Sequence, residues 1–463
     1  MKISERVHTP AVLELRDVVR SDPWETIRRG SRLISSRVGL IRHVGHGTYH
    51  AQDPGTFAMG IAASDTSRFS DVVNTSKGGG GGERLENALA ASLGEAVERY
   101  CMFFYDKEQM VFAPYREIQQ DAVSPEQVRL YSREQVEALG PDTRARYLEE
   151  DTPVRWVWGT SLTDQRPRLV PASFVYMGYK YDDDEPPIGR NASTGLAAGL
   201  TIEEAILTAL YEVIERDAFT LCWLQQRPGR RIEVDDEVLD TLLRRRFHKG
   251  HPKVDLQIYD ITTDVPVFSA FVVMRRPTEF GVATCVGSTT RLVPGQAVHK
   301  CLIEAGQAIP YFRFLLAQLA DWEPRADFSD VSSFDHHCVF YLKRPELVPD
   351  AFAFLKASAD PVRLSSIPDR STGSVRGDIE RCVALLQQSG LEVIVVEITT
   401  PDALDVGLRV VRVVVPGMVP LHGVHRFPFL GSKRLYDLPQ KLGESKPGPG
   451  GDAGLNPYPH PFP

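Results

Sequence analysis

The chain reads as a mixed α/β (α+β) protein whose helices carry glutamate pairs and pack on mixed sheets. Three observations support this. Apolar residues recur at helical spacing over three long stretches. Alternating or continuous apolar runs of strand length lie between those stretches. Helices and strands interleave from one end of the chain to the other. The 463 residues are 42% hydrophobic and 25% charged, a globular balance that excludes disorder throughout and can bury one large core or two subdomains.

Taken in order, Asp22-Pro23-Trp24-Glu25 starts a helix, with an Asp cap, Pro in the first turn and an acidic residue after it, and the helix runs on to Leu33. Residues 1–60 are expected to form a lead-in segment. A loop with Lys77 and the five glycines Gly78 to Gly82 then opens a helix from about Glu83 to Tyr105. Val154 to Gly159 alternates as a strand does, and the acidic run Asp182 to Pro187 reads as an exposed loop. A long helix spans about Ile202 to Gln225. Strands follow at Val254 to Asp260 and Val265 to Met274, and a third helix covers about Gly295 to Leu319, containing Glu304-Ala-Gly-Gln307. His336-His337 reads as a polar loop pair. Strands at Leu391 to Ile398 and Leu408 to Val415 complete a domain over residues 61–443. Residues 444–463 form a proline-rich tail; with proline at every second position near its end it is expected to be stiff and extended.

Net charge is −8 with no dense Lys/Arg stripe, so a nucleic-acid footprint is not supported. No signal-peptide core and no apolar stretch near 18 residues occurs, so no membrane association is expected and a cytoplasmic location is. The six cysteines lack C-x-x-C spacing and are expected to be buried thiols. Ser-His-Asp order, H-E-x-x-H and the Rossmann fingerprint are all missing, which removes the usual signs of a hydrolase or dehydrogenase.

One charged cluster occurs twice, as Glu95-x-x-Glu98-Arg99 and Glu212-x-x-Glu215-Arg216. Glutamates three apart share a helical face, so each helix offers a carboxylate pair beside an arginine. On the longer helix Glu204, Thr208, Glu212 and Glu215 fall within an arc of roughly 80°, with no basic residue among them before Arg216. Carboxylate pairs set among apolar neighbours repel unless a cation neutralises them. Mg²⁺ takes one or two carboxylates plus substrate phosphates, and the arginines suit phosphate oxygens. Lys77 and its glycines add an ammonium and free N–H groups, though not in Walker spacing.

With Lys77-Gly78, Ala91 to Arg99, Ser193 to Glu204 and Tyr211 to Asp217 in that order, residues 60–440 resemble the YcaO family. Gly159-Thr-Ser-Leu, Val170-Pro-Ala, Asp260 to Val267 and Leu302 to Gln307 support the match, while Pro416-Gly417, Gly431 to Leu435 and the proline-alternating end resemble the members that form azoline rings in ribosomal peptides. The resemblance implies an ATP-binding fold with Glu95, Glu98, Glu212 and Glu215 as Mg²⁺ ligands or their close supports. It also implies Arg216 at phosphate, and Lys77, Glu204, Thr26 and Arg20 as further nucleotide contacts. The implied reaction is ATP-dependent conversion of Cys, Ser or Thr of a precursor peptide to thiazoline or oxazoline, with the Pro463 carboxylate brought near the substrate. Catalysis would then centre on Glu98, Glu215 and Pro463. The short lead-in implies a separate leader-peptide-binding partner, and the family suggests a flavin-dependent dehydrogenase beside it and a homodimer. Backbone thioamide formation is the same-family alternative. A non-catalytic ATP-binding scaffold is expected to have lost acidic residues at the metal positions, and all four are present.

Overall fold

Three sheets frame the molecule in the computed structural model, which describes residues 9–66, 77–140, 143–189, 192–357, 360–444 and 454–462. The first is antiparallel, in the order Ile41–His46, Phe57–Ala63, Lys77–Gly82. The second runs Gly281–Thr290, Ser269–Thr278, Asp255–Asp260, Arg230–Glu233, Val362–Arg363, and its last pair is parallel. The third runs Val111–Pro114, Pro153–Ser161, Ile394–Glu397, Arg409–Val414, Leu196–Gly199, with Arg166–Pro171 added alongside Pro153–Ser161. Helices and mixed sheets together form the expected α/β architecture. None of the described helices is long and apolar enough to cross a membrane.

The glycine run corrects one expectation. It is a strand, Lys77–Gly82, paired with Phe57–Ala63 from Ala62↔Lys77 to Phe57↔Gly82, rather than a loop. A side chain at Gly80 would collide with the backbone of Ser92 and Ala88, and one at Gly81 with the Gln307 amide. Absence of Cβ therefore lets the strand lie directly on the Leu85–Cys101 helix on one side and the Pro294–Gln318 helix on the other. Residue 60 lies inside the middle strand of this sheet, which joins part of the lead-in to the glycine strand.

Helix Ile202–Leu224 passes through the centre. Thr201 caps it by accepting the Glu204 N–H at 3.2 Å, and 18 of its 23 residues are buried. Its first half packs on Val393, Val395, Val411 and Val413, and its second half on Phe271, Phe340 and Phe462. A helix apolar on nearly every side belongs in the interior. The carboxylates it carries are consequently drawn inward with it. All six cysteines are buried and free.

The second correction concerns His336-His337. The pair lies on a helix, Phe334–Lys343, capped by Ser333, and His337 is fully buried. Consecutive histidines look polar in sequence, but neutral imidazoles pack well where carbonyls accept their protons.

Candidate functional site

Both glutamate pairs are presented by the same local device. A glycine ahead of the helix donates its N–H to the first glutamate, Gly79 to Glu95 at 3.1 Å and Gly195 to Glu212 at 3.2 Å. The arginine after the second glutamate then folds back over the pair. Arg99 approaches Glu95 at 3.4 Å and Glu98 at 3.7 Å; Arg216 approaches Glu212 at 3.7 Å and Glu215 at 3.5 Å. The motif repeats in three dimensions as it does along the chain.

The four glutamates converge electrostatically. Burial pushes the Glu98 carboxyl well above its usual range; Arg99 opposes the shift and Glu212 and Glu95 add to it. Burial likewise raises Glu215 to about 8, against Arg216 and with help from Glu304 and Glu212. Arg99 and Arg216 are pushed upward, because the surrounding glutamates outweigh the burial that disfavours their charge. Exposure of these side chains ranges from 28% at Glu95 to 6% at Glu215, so all four are largely withdrawn from solvent.

Buried, unsatisfied donors mark the same place. Arg412, fully buried on the Arg409–Val414 strand, faces Glu212 and Glu98, and burial lowers it to about 10. It donates to the Ala192 carbonyl at 2.7 Å, yet among the described residues its Nε and Nη1 find no hydrogen-bond partner, and Arg216 Nη1 has only its 3.5 Å ion pair with Glu215. Orphaned guanidinium donors are costly without an acceptor, and phosphate oxygens suit them. Hard carboxylate oxygens beside them suit Mg²⁺. Among the described residues no three His, Cys, Asp or Glu side chains form a ready metal cage. A Mg²⁺ that draws its remaining ligands from phosphates and water does not need one. The donor set therefore fits a magnesium–triphosphate.

Glu304 and Arg291 also belong here, although the sequence reading did not assign them to the site. Glu304 acts on Glu215 from the Pro294–Gln318 helix, one turn before Gln307, which touches Gly81. Its Glu-x-x-Gln spacing following the Gly281–Thr290 strand was the available signal. Burial lowers Arg291; Glu215 and Glu304 pull against that effect, and its guanidinium lies 4.7 Å over the Tyr211 ring. Arg412 carried no signal, sitting in what looked like an ordinary strand.

Other expected residues are placed as follows. Lys77 opens the glycine strand. Both Glu204 oxygens accept from Ser21, from N–H at 2.6 Å and Oγ at 2.9 Å, fastening the lead-in to the central helix with Arg20 close enough to repel Arg291. Thr26 is half-buried on the Pro23–Gly30 helix, whose last residue packs against Leu93. Pro463 lies outside the described residues. Its neighbour Phe462 sets its ring 4.7 Å from the Arg216 guanidinium.

The family model for YcaO cyclodehydratases, described as ATP- and Mg²⁺-binding, matches residues 79–419, and the chain belongs to that family. A heterocyclase solved with substrate and cofactor is 26% identical with a TM-score of 0.77, covering 97% of this chain and 59% of its own. The heterocyclase TruD is 25% identical with a TM-score of 0.69, covering 98% and 56%. YcaO from Methanopyrus kandleri, bound with AMPPCP and Mg²⁺, shares the fold at 20% identity and a TM-score of 0.59, covering 86% and 92%. An uncharacterised protein of Methanothermobacter thermautotrophicus (strain ATCC 29096 / DSM 1053 / JCM 10044 / NBRC 100330 / Delta H) is 31% identical over 280 residues, 57% of this chain and 65% of that protein. The chain thus spans less than two thirds of that relative's length and of each heterocyclase's.

Proposed function

We propose that this protein is an ATP-dependent cyclodehydratase acting on a ribosomal precursor peptide. The observation that carries the reading is the repeated Glu-x-x-Glu-Arg device, with the proline-alternating segment folded onto its second arginine.

In this reading Glu95, Glu98, Glu212 and Glu215 hold Mg²⁺, and Arg216, Arg99 and Arg412 take triphosphate oxygens. Bound MgATP supplies the phosphoryl group that turns a poor leaving oxygen into a good one. A Cys, Ser or Thr side chain attacks the preceding amide carbonyl and closes the ring; the oxygen left on that carbon then takes the terminal phosphoryl group of ATP, releasing ADP, and leaves as phosphate as the amide N–H proton is lost and the C=N bond forms. The chain's task is to hold the peptide carbonyl in line and to neutralise charge on the transferring group. The proton acceptor proposed is the Pro463 carboxylate. A separate partner binds the leader peptide; a flavin-dependent dehydrogenase and pairing into a homodimer complete the proposal.

Mass spectrometry of a precursor peptide incubated with the protein, its partner and MgATP tests this. Loss of one water per modified residue is expected. A gain equal to replacement of oxygen by sulfur would move the assignment to thioamide formation, and an unchanged mass would refute it.

A further inference from the structure

The Asn456–Phe462 segment is held by groups that the phosphate chemistry does not use. The Asn456 N–H donates to the Leu224 carbonyl at 2.8 Å, Trp223 Nε1 to the Tyr458 carbonyl at 3.1 Å, and the Tyr341 hydroxyl to the Pro459 carbonyl at 2.6 Å. Two histidines continue the series. His337 Nδ1 donates to the His460 carbonyl at 2.9 Å, and His460 Nε2 donates to the His422 carbonyl at 2.6 Å. A carbonyl only accepts, so His460 carries its proton on Nε2 and keeps a lone pair on Nδ1. That lone pair accepts the Phe462 N–H at 3.3 Å. The His337 and His460 rings stack at 3.7 Å and 4°, with His422 edge-on at 4.9 Å. Phe462 then packs 4.5 Å from Phe219 and sits over Arg216.

None of these three rings can accept a second proton while the segment is docked. On His460 it would face the Phe462 N–H, donor against donor. Among the described residues His337 Nε2 and His422 Nδ1 are buried without a hydrogen-bond partner. The titratable neighbours are His336 and His425, with Tyr341 and Tyr458 close by and Arg216 beyond Phe462. Asp335, on the same helix as His337, accepts the Tyr311 hydroxyl at 2.6 Å.

We propose that His460, seated on His337 and His422, is a positioning residue that in its neutral form aims the end of this segment at Arg216, and that protonation undocks it. The proposal rests on the cyclodehydratase reading for its link to catalysis. Burial, with the neighbouring histidines, holds His337 and His460 well below the usual histidine range, and burial takes His422 to about 3. Each docked value lies below the free one, so docking is complete above the free-histidine range near pH 6.5 and weakens as pH falls. The decline is about tenfold per pH unit for each proton taken up.

The segment itself supplies a control. Asn456 Oδ1 accepts the N–H of Tyr458, two residues on, at 3.1 Å, the same relation as His460 to Phe462. His460→Asn therefore keeps an acceptor that does not titrate, whereas His460→Phe keeps the ring and loses both hydrogen bonds.

Amide hydrogen exchange of Phe462 in the full chain, corrected for intrinsic rates, is the test. Wild-type protection should fall about tenfold or more per unit below about pH 6.5. His460→Asn should keep much of the neutral-pH protection with a flatter pH response, and His460→Phe should lack protection throughout. In ring formation His460→Phe should lower kcat with KM for ATP unchanged, and His460→Asn should restore kcat. Wild-type protection that stays flat with pH, or a His460→Phe variant with wild-type protection and kcat, overturns the proposal. Exchange is read without peptide, so a wild type that forms no rings sinks the reaction assignment while docking is still decided.

Discussion

Glu215→Gln should make the metal-free protein more stable while removing its response to MgATP. Glu215 is 6% exposed, and burial raises it from the ordinary 4.5 to about 8. A carboxyl raised on folding contributes fully below its unfolded value, and that contribution disappears as pH climbs to the folded value. At about 1.4 kcal/mol per unit, the ionisable side chain costs the metal-free fold up to about 4 kcal/mol near pH 7.5. Glutamine keeps the shape without that cost, so shared over the linked glutamates a gain of about 2–4 kcal/mol is expected near and above neutral pH, and little below about pH 4.5. The neutral amide cannot replace a charged Mg²⁺ ligand. Ligand at about 100 times Kd should add about 2.7 kcal/mol to the wild type and close to nothing to the variant. Thermal unfolding with and without MgATP reads both effects. A variant less stable than wild type when metal-free, or one with an undiminished MgATP shift, refutes the reasoning.

Arg434 fills a buried pocket, donating to both Asp217 oxygens at 2.9–3.0 Å and to Asp264, while Asp217 also accepts the Val419 N–H at 2.9 Å. Arg434→Ala should destabilise by about 3–5 kcal/mol, because buried Asp217 and half-buried Asp264 lose their cation; denaturant unfolding measures this. Gly80→Ala should lower stability by about 1–3 kcal/mol, because its methyl meets the Ser92 and Ala88 backbone. MgATP binding should weaken in the same variant as Glu95 and Glu98 shift with their helix, which calorimetry would detect. Uptake of MgATP should also release protons at about pH 7, since Glu98 and Glu215 are raised in the free protein and bind metal ionised. Calorimetry in buffers of different ionisation enthalpy counts those protons.

The long helices were legible because apolar spacing is a local property: the run from Ile202 to Leu224 defines its helix without reference to any neighbour. The paired glutamates were legible for the same reason. Gly78 to Gly82 was not, because five glycines signal flexibility until the helix backbone lying against Gly80 is known. Glu304 escaped because its partner three residues on is Gln307, which breaks the paired-acid pattern. Arg412 and His337 depend wholly on tertiary partners, a glutamate pair in one case and a stacked His460 in the other. The proline alternation did single out the C-terminal segment. Its seat, made of histidines distant in sequence, was visible only in three dimensions.

Crystals grown with Mn²⁺ in place of Mg²⁺ and a non-hydrolysable ATP analogue, measured at the manganese absorption edge, test the central claim most directly. The anomalous peak should lie at about 2.2 Å from carboxylate oxygens of both the Leu85–Cys101 and Ile202–Leu224 helices, with the triphosphate against Arg216. A metal held by neither glutamate pair, or a nucleotide bound elsewhere on the chain, would contradict it.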